Sequence, residues 1–237
     1  PLFASIPETL DFERENYACV PYLDGRGYVT YAYNISGGAV VRWYRDSLAF
    51  YLKQAAKERG CSVYDILNET CPPEPTGLIV LPFLQGMGGT PDVLTGARGT
   101  IYGLTMHTSP ADIYRAILEG LTFEMRYNLE KLAKYDIRPT TLFAAGGGAK
   151  SPVWRQIKAD ILGAELRPTL AGEAGALGSA ILGLAAATGE TDRTALAARF
   201  VRYGQTATPD AQRHAYYEKQ FALYKELREF EVRHARG

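Results

Sequence analysis

Three consecutive glycines followed by a serine form the stretch whose residue types could do chemistry. Gly146, Gly147 and Gly148 follow five uncharged residues that are typical of a buried strand, and Ser151 with Pro152 is typical of a helix start. Glycines let a ligand approach the backbone, and the first turn of a helix offers free N–H groups to a polar or anionic group. The stretch therefore predicts a nucleotide site, although a tight turn that binds nothing explains it equally well.

Two familiar phosphate-binding motifs do not fit this stretch. A P-loop needs two glycines where the chain has Ala144 and Ala149, and the dinucleotide fingerprint needs a third glycine where it has Ser151. A helix that opens with serine and proline is also a poor match to that fingerprint. The chain is therefore predicted to be neither a P-loop NTPase nor a Rossmann dehydrogenase.

A second glycine turn lies near the start of the chain, at Gly37 and Gly38. It leads into a predicted helix over residues 39–59, with Ser36 as the cap and Gly60 as the stop. Gly38 could allow close approach of a ligand, and Arg42, one turn into the helix, could point the same way. Taken alone, a strand-to-helix corner with a solvated arginine is the favoured explanation.

The remaining pattern alternates strands with helices, which predicts an α/β fold with a largely central sheet. Asp24-Gly25 between two aromatic and β-branched runs predicts a hairpin, and residues 85–99, with five glycines, predict a surface loop. Ser109-Pro110 opens a helix to about residue 134 whose apolar stripe belongs to the core. Further helices are predicted over residues 152–162, 171–189, 191–200 and 211–234.

Composition excludes several classes of function. Lys and Arg together number 26, as do Asp and Glu, so bulk charge gives no support for nucleic-acid binding. No run of about 18 apolar residues suggests a membrane span. The three cysteines lack a C-x-x-C spacing and the three histidines are scattered, so no metal site is predicted. No acidic residue is marked as a general base, and a chain that begins with Pro1 is expected to be a piece of a longer or processed one.

Taken together, three blocks of the sequence resemble the C-terminal domain of the FGGY carbohydrate kinases, the family of glycerol kinase and xylulokinase. The first block is YNISGGAVVRW at residues 33–43, with Arg45-Asp46 after it. The second runs from ARGTIYGLT at 97–105 through YRAILEGLTF at 114–123. The third is GGGAKSPVWRQIKADILG at 146–163, followed by Glu173 and ALGSA at 176–180. The blocks cover most of residues 33–189.

This resemblance implies an actin-like, ribonuclease-H-like ATPase fold with a mixed central sheet between helices. It implies that residues 1–237 are a nucleotide-binding domain for ATP and Mg²⁺, and that a separate N-terminal domain binds the sugar. The cofactor-binding residues that it implies are Gly38, Arg42, Gly146, Gly147, Gly148 and Ser151. Gly147, Gly148 and Ser151 would line the adenosine pocket, with Gly38 and Arg42 across from it. The family's catalytic aspartate and Gly-Thr loop are expected upstream of Pro1, so this chain alone should be inactive.

The function predicted for the whole protein is a cytoplasmic kinase that transfers the γ-phosphate of ATP to a sugar or polyol hydroxyl. The alternative is a non-catalytic nucleotide- or partner-binding module of the same fold. An iron–sulfur activator of that fold ranks last, because the cysteine spacing does not suit a cluster. Residues 87–91 depart from the charged loop of xylulokinases, so the identity of the sugar substrate stays open. Whether the protein forms a homodimer also stays open. Neither nucleic acid nor a membrane is an expected partner.

Overall fold

A computed structural model of the chain describes residues 2–6, 18–22, 27–32, 35–89 and 92–236. The first sheet has three antiparallel strands, β1 (Leu2–Ile6), β2 (Ala18–Pro21) and β3 (Tyr28–Ala32), in the order β1-β3-β2. The predicted hairpin is therefore present as the β2–β3 pair, while its turn at residues 24–26 lies outside the described residues.

Three further strand pairs follow in the chain. β4 (Ile79–Leu81) pairs antiparallel with β7 (Thr100–Tyr102), and β5 (Met87–Gly89) pairs antiparallel with β6 (Asp92–Leu94). β8 (Thr141–Ala144) and β9 (Glu165–Pro168) are parallel. Residues 85–99, predicted as a loop, thus contain the β5–β6 hairpin. Each of its strands has only three residues, and β5 is Met-Gly-Gly, so neither strand gives a clear sequence signal.

The mixed α/β class is confirmed, but the described strands form four small sheets where the pattern predicts one central sheet. Each pairing spans only three to five residues. A helix, α4 (Pro110–Ala133), fills the centre of the molecule, and every residue from Tyr114 to Glu124 is buried. The predicted apolar stripe is therefore only part of the buried surface of α4.

Two features explain where α4 begins and how closely it packs. Ser109 and Asp112 form a reciprocal capping box, and Pro110 occupies the first turn, as the sequence predicts. Gly120 faces β4 so closely that an added Cβ atom would overlap the carbonyl oxygen of Val80. Glycine is thus needed at this position because the helix lies directly on the strand backbone.

The predicted single helix over residues 39–59 is wrong in detail. It consists of α1 (Gly38–Trp43), a π-helical turn (Tyr44–Leu48), a break at residues 49–51, and α2 (Leu52–Arg59). The Tyr44 side chain is buried and its hydroxyl donates to the carbonyl of Pro110 at 2.5 Å, so packing against the start of α4 accompanies the irregular turn. Gly60 ends α2 in the left-handed conformation, as predicted.

The remaining helices are α3 (Val63–Thr70), a short α5 (Gly147–Lys150), α6 (Pro152–Leu162), α7 (Ala174–Thr188), α8 (Arg193–Phe200) and α9 (Ala211–Arg236). Of these, α6, α7, α8 and α9 agree with the predicted ranges. The helices α6 and α9 pack on α4 or on one another, whereas α7 packs mainly on α8. The short α5 was not predicted, since four residues carry no periodic signal.

Buried polar groups connect α4 to α9. Arg115 donates from Nε to Glu119 Oε1 at 2.8 Å and from Nη2 to the Tyr217 hydroxyl at 2.9 Å, and that hydroxyl donates to Glu119. Burial raises the pKa of Glu119 to about 7, against the opposing effects of Arg115 and Tyr217. Removal of one member would leave a buried charge without its partner, so this network fixes α9 on the core.

Candidate functional site

The three glycines after β8 serve three different purposes. Gly146 has φ of +81°, a conformation that side chains with a Cβ rarely adopt. Gly147 has ordinary φ and no atom within 4 Å of the position of a Cβ, so the space beside it is open. At Gly148 a Cβ would lie 2.8 Å from Cζ3 of Trp154. The turn is therefore shaped by Gly146, packed at Gly148 and open to a ligand at Gly147.

Ser151 ends the turn and begins α6. Its hydroxyl oxygen accepts from the Trp154 N–H at 3.1 Å, which is the cap that the sequence predicts. The same hydroxyl donates to Oδ1 of Asn68 on α3 at 2.8 Å. The Asn68 oxygen also lies 3.4 Å from the Tyr114 hydroxyl of α4. Ser151 thus anchors the glycine turn to two other helices in addition to capping its own.

Lys158, on α6, contacts the glycine turn at Gly148. Lys158 is only 8% exposed, and its ammonium donates to the Gly148 carbonyl at 3.2 Å. The same ammonium stands 4.0 Å from the ring centroid of Trp154, a cation–π contact. Burial lowers the pKa of Lys158 to about 8, and the charge of Arg155 acts in the same direction.

The second glycine turn is held by the β5 hairpin. The Ser36 side chain is buried and donates to the carbonyl of Gly86 at 3.4 Å, and the Ile35 N–H donates to the carbonyl of Gly88 at 3.2 Å. The N-cap of α1 is Gly37, with no side-chain cap bond, so the prediction that Ser36 caps this helix is wrong. Its hydroxyl points to the hairpin instead, because the hairpin supplies an acceptor there.

Gly38 and Arg42 lie on α1, and no hydrogen bond or ion pair of the described residues joins either to the first turn. Gly38 has no atom within 4 Å of its Cβ position, and Arg42 is exposed and forms no side-chain bond to a described residue. The two turns are connected indirectly. The rings of Tyr44 and Tyr114 lie 5.5 Å apart, and Tyr114 leads through Asn68 to Ser151.

Sequence reasoning missed two residues of this region. Asn68 sits in α3 with no neighbouring motif, and nothing in the local sequence marks it as a partner of Ser151. Lys158 and Asp160 alternate in the sequence with apolar residues of α6, a pattern typical of the solvent-facing side of a helix, yet both are buried. Asp160 is covered because Arg213 and the N–H of Asp210 bond its carboxylate, contacts that lie about 50 residues away in the chain.

Other parts of the described chain show little that resembles a reaction centre. No group of three or more His, Cys, Asp or Glu side chains in these ranges could hold a metal ion. Between α7 and α8 lies a cavity of about 240 Å³, lined mostly by apolar side chains such as Leu177, Ile181 and Val201, together with Arg193. None of the predicted site residues contributes to that cavity.

Comparison with known proteins shows the family of the chain. Residues 9–187 match the model of the FGGY family of carbohydrate kinases, C-terminal domain. The chain belongs to this family. It is 36% identical over 164 residues to gluconokinase from Bacillus subtilis (strain 168), a match that covers 66% of this chain and 31% of that protein. With xylulose kinase from Escherichia coli (strain K12) the identity is 35% over 148 residues, covering 62% of this chain and 30% of the relative.

The fold is shared with solved structures of this family. The ligand-bound xylulose kinase from Lactobacillus acidophilus superposes with a TM-score of 0.80 at 25% identity, over 97% of this chain and 45% of that chain. The predicted family and actin-like fold are thereby confirmed. The matches cover 30–31% of these two relatives, so the chain spans about a third of their length. Among the described residues no helix has the length and apolarity that crossing a membrane requires.

Proposed function

We propose that this chain is the ATP-binding domain of a kinase that transfers the γ-phosphate of ATP to a hydroxyl of a sugar or polyol. The observation that carries the proposal is the match of residues 9–187 to the C-terminal domain of the FGGY carbohydrate kinases. The glycine turn suits this function, because Gly147 is exposed and has no atom within 4 Å of its Cβ position, so a ligand can reach its backbone.

In this proposal the adenosine lies against Gly146, Gly147 and Gly148, and Ser151 holds the turn in place through Asn68. Gly38 and Arg42 lie across from the adenosine, on the helix that follows the second turn. An arginine with no bond to a described side chain can approach a phosphate, because its guanidinium remains available as a donor. Mg²⁺ would be carried by the ATP phosphates, since the described residues offer no cluster of ligands for it.

The sugar and the catalytic base are proposed to belong to the part of such enzymes that this chain does not cover. Catalysis would consist mainly of positioning and of neutralising the charge on the γ-phosphate, with an aspartate accepting the hydroxyl proton. Closure of two domains over the substrates would exclude water and limit hydrolysis of ATP. The relatives named gluconokinase and xylulose kinase make a gluconate-like or ketose-like substrate the first choice for testing.

The location that suits this reaction is the cytoplasm, where ATP is made and thiols stay reduced. Cys19, Cys61 and Cys71 are all free thiols, which fits that setting. Residues 1–237 would form a single nucleotide-binding domain, with α9 closing the core behind α4 through the Tyr217 network.

The experiment is calorimetric titration of the chain with Mg-ATP. We expect a Kd on the order of 0.1–1 mM, about −4 to −5.5 kcal/mol, for a half-site without its partner domain. Gly147→Val should abolish binding because its side chain occupies the open space. Gly183→Val is the matched control, since Gly183 on α7 has equally open surroundings. Equal binding by the wild-type chain and Gly147→Val would contradict the proposal.

A further inference from the structure

Lys158 is a buried cation without an anionic partner among the described residues. Lys158 is 8% exposed, and among the described residues its ammonium contacts the Gly148 carbonyl and the Trp154 ring. The carboxylates of Glu119 and Glu124 on α4, Glu165 on β9 and Glu218 on α9 bond other groups. Of the other acidic residues on these elements, Asp112, Glu130 and Glu231 also bond other groups, and Glu226 and Glu229 are exposed. Of the basic ones, Arg213 on α9 pairs with Asp160, Lys150 on α5 is exposed, and Arg155 repels Lys158.

Such a placement is unfavourable for folding. Burial of an ammonium without a counter-ion costs free energy, and an apolar side chain of similar length could fill the same space under the turn. The buried ammonium lies next to the glycine turn of the proposed nucleotide site. Unfavourable side chains in proteins are concentrated where they serve function, so Lys158 calls for a functional explanation.

The position of the ammonium suggests what that function is. The carbonyl that it binds belongs to the peptide between Gly148 and Ala149, and an added Cβ on Gly148 would lie 3.2 Å from Lys158 Nζ. Glycine backbone has wide conformational freedom, so a fixed carbonyl restricts the orientation of the whole turn. The indole N–H of Trp154 donates to the Thr122 hydroxyl at 3.1 Å, which fixes the ring. The fixed ring holds the ammonium next to that carbonyl.

We propose that Lys158 is a positioning residue of the nucleotide site, which acts through the Gly148 carbonyl to hold the glycine turn in the shape that receives adenosine. This inference rests on the proposed function. The Lys158 side chain is buried and bonds the backbone of the turn, so in this proposal it acts without touching the nucleotide. A charged donor holds a carbonyl more strongly than a neutral amine does, so nucleotide affinity should depend on the protonation of this one side chain.

The test is Mg-ATP affinity between pH 7 and 9.5 for the wild-type chain, Lys158→Met and Lys158→Arg, with folding checked by near-UV circular dichroism. For the wild type we expect the Kd to rise about 3- to 10-fold as Lys158 loses its proton. Lys158→Met should bind at pH 7 as weakly as the wild type does at pH 9.5, with no pH dependence. Lys158→Arg should retain most of the affinity at both pH values, because arginine stays charged.

The outcomes separate this inference from the proposed function. If Gly147→Val loses binding while Lys158→Met binds as well as the wild type at pH 7, the nucleotide site stands and the role of Lys158 is refuted. A wild-type Kd that does not change with pH refutes it as well. If the folded wild-type chain binds no Mg-ATP at any pH, the proposed site itself fails and this inference fails with it. Lys158→Met is expected to fold, since it removes a buried charge.

Discussion

Replacement of Lys158 by methionine should stabilise the fold, and the gain should disappear as the pH rises. Burial lowers the pKa of Lys158 from 10.5 to about 8 in the folded chain. One unit of pKa corresponds to about 1.4 kcal/mol, so the shift of two to three units corresponds to about 3 kcal/mol. Methionine fills similar space and carries no charge, and it avoids this penalty at neutral pH.

The sign of the pH dependence follows from proton binding. Between about pH 8 and 10.5 the unfolded chain keeps the proton on Lys158 and the folded chain does not. The free energy of unfolding of the wild type therefore rises with pH across this window. Below pH 8 both states are protonated and the penalty is complete, whereas above 10.5 both are neutral and it is absent.

Urea unfolding of both proteins at several pH values between 7 and 10.5 measures this effect. The difference between the two free energies of unfolding cancels the other titrating groups, which the proteins share. We expect Lys158→Met to be more stable by about 2–3 kcal/mol at pH 7, and the advantage to approach zero near pH 10.5. An advantage that stays constant over this range, or a less stable variant at pH 7, would show that burial of the Lys158 charge does not cost the folded chain this free energy.

Two further predictions concern the core around α4. Gly120→Ala should destabilise the chain by about 3 kcal/mol in thermal unfolding, because the new Cβ overlaps the Val80 carbonyl and the backbone must move. Gly183→Ala, with open surroundings on α7, should be neutral or slightly stabilising. Arg115→Met should cost about 3–5 kcal/mol in urea unfolding because it leaves Glu119 buried without its partner. Adding Glu119→Gln should recover part of that loss, and a double variant no better than the single one would contradict the role given to the pair.

Local features of the structure were predictable from the sequence because their causes are local. Ser151 caps α6, and Gly60 and Gly163 end their helices in the left-handed conformation. The same holds for Ser109, whose capping box depends only on a residue three positions away. The glycine turn as a candidate site was also visible, since three glycines between a strand and a helix are themselves a local pattern.

Features that depend on distant parts of the chain were not predictable. Asn68 meets Ser151 across 83 residues of sequence, and the buried carboxylate of Asp160 meets Asp210 and Arg213 across 50 and 53 residues. The break after α1 accompanies the packing of Tyr44 on the start of α4, which periodicity alone does not reveal. A strand pattern likewise indicates which residues form a strand but not which strand they pair with. The division into four small sheets therefore could not be predicted.

A map of amide ¹H–¹⁵N shifts as Mg-ATP is added to the labelled chain tests directly whether the glycine turn binds the nucleotide. We expect the largest changes at Gly146, Gly147 and Gly148, with smaller changes at Gly38, because the adenine ring would lie against the first turn. This expectation is contradicted if these amides stay unchanged at saturating Mg-ATP while others move, for example those around Leu177 in the cavity between α7 and α8.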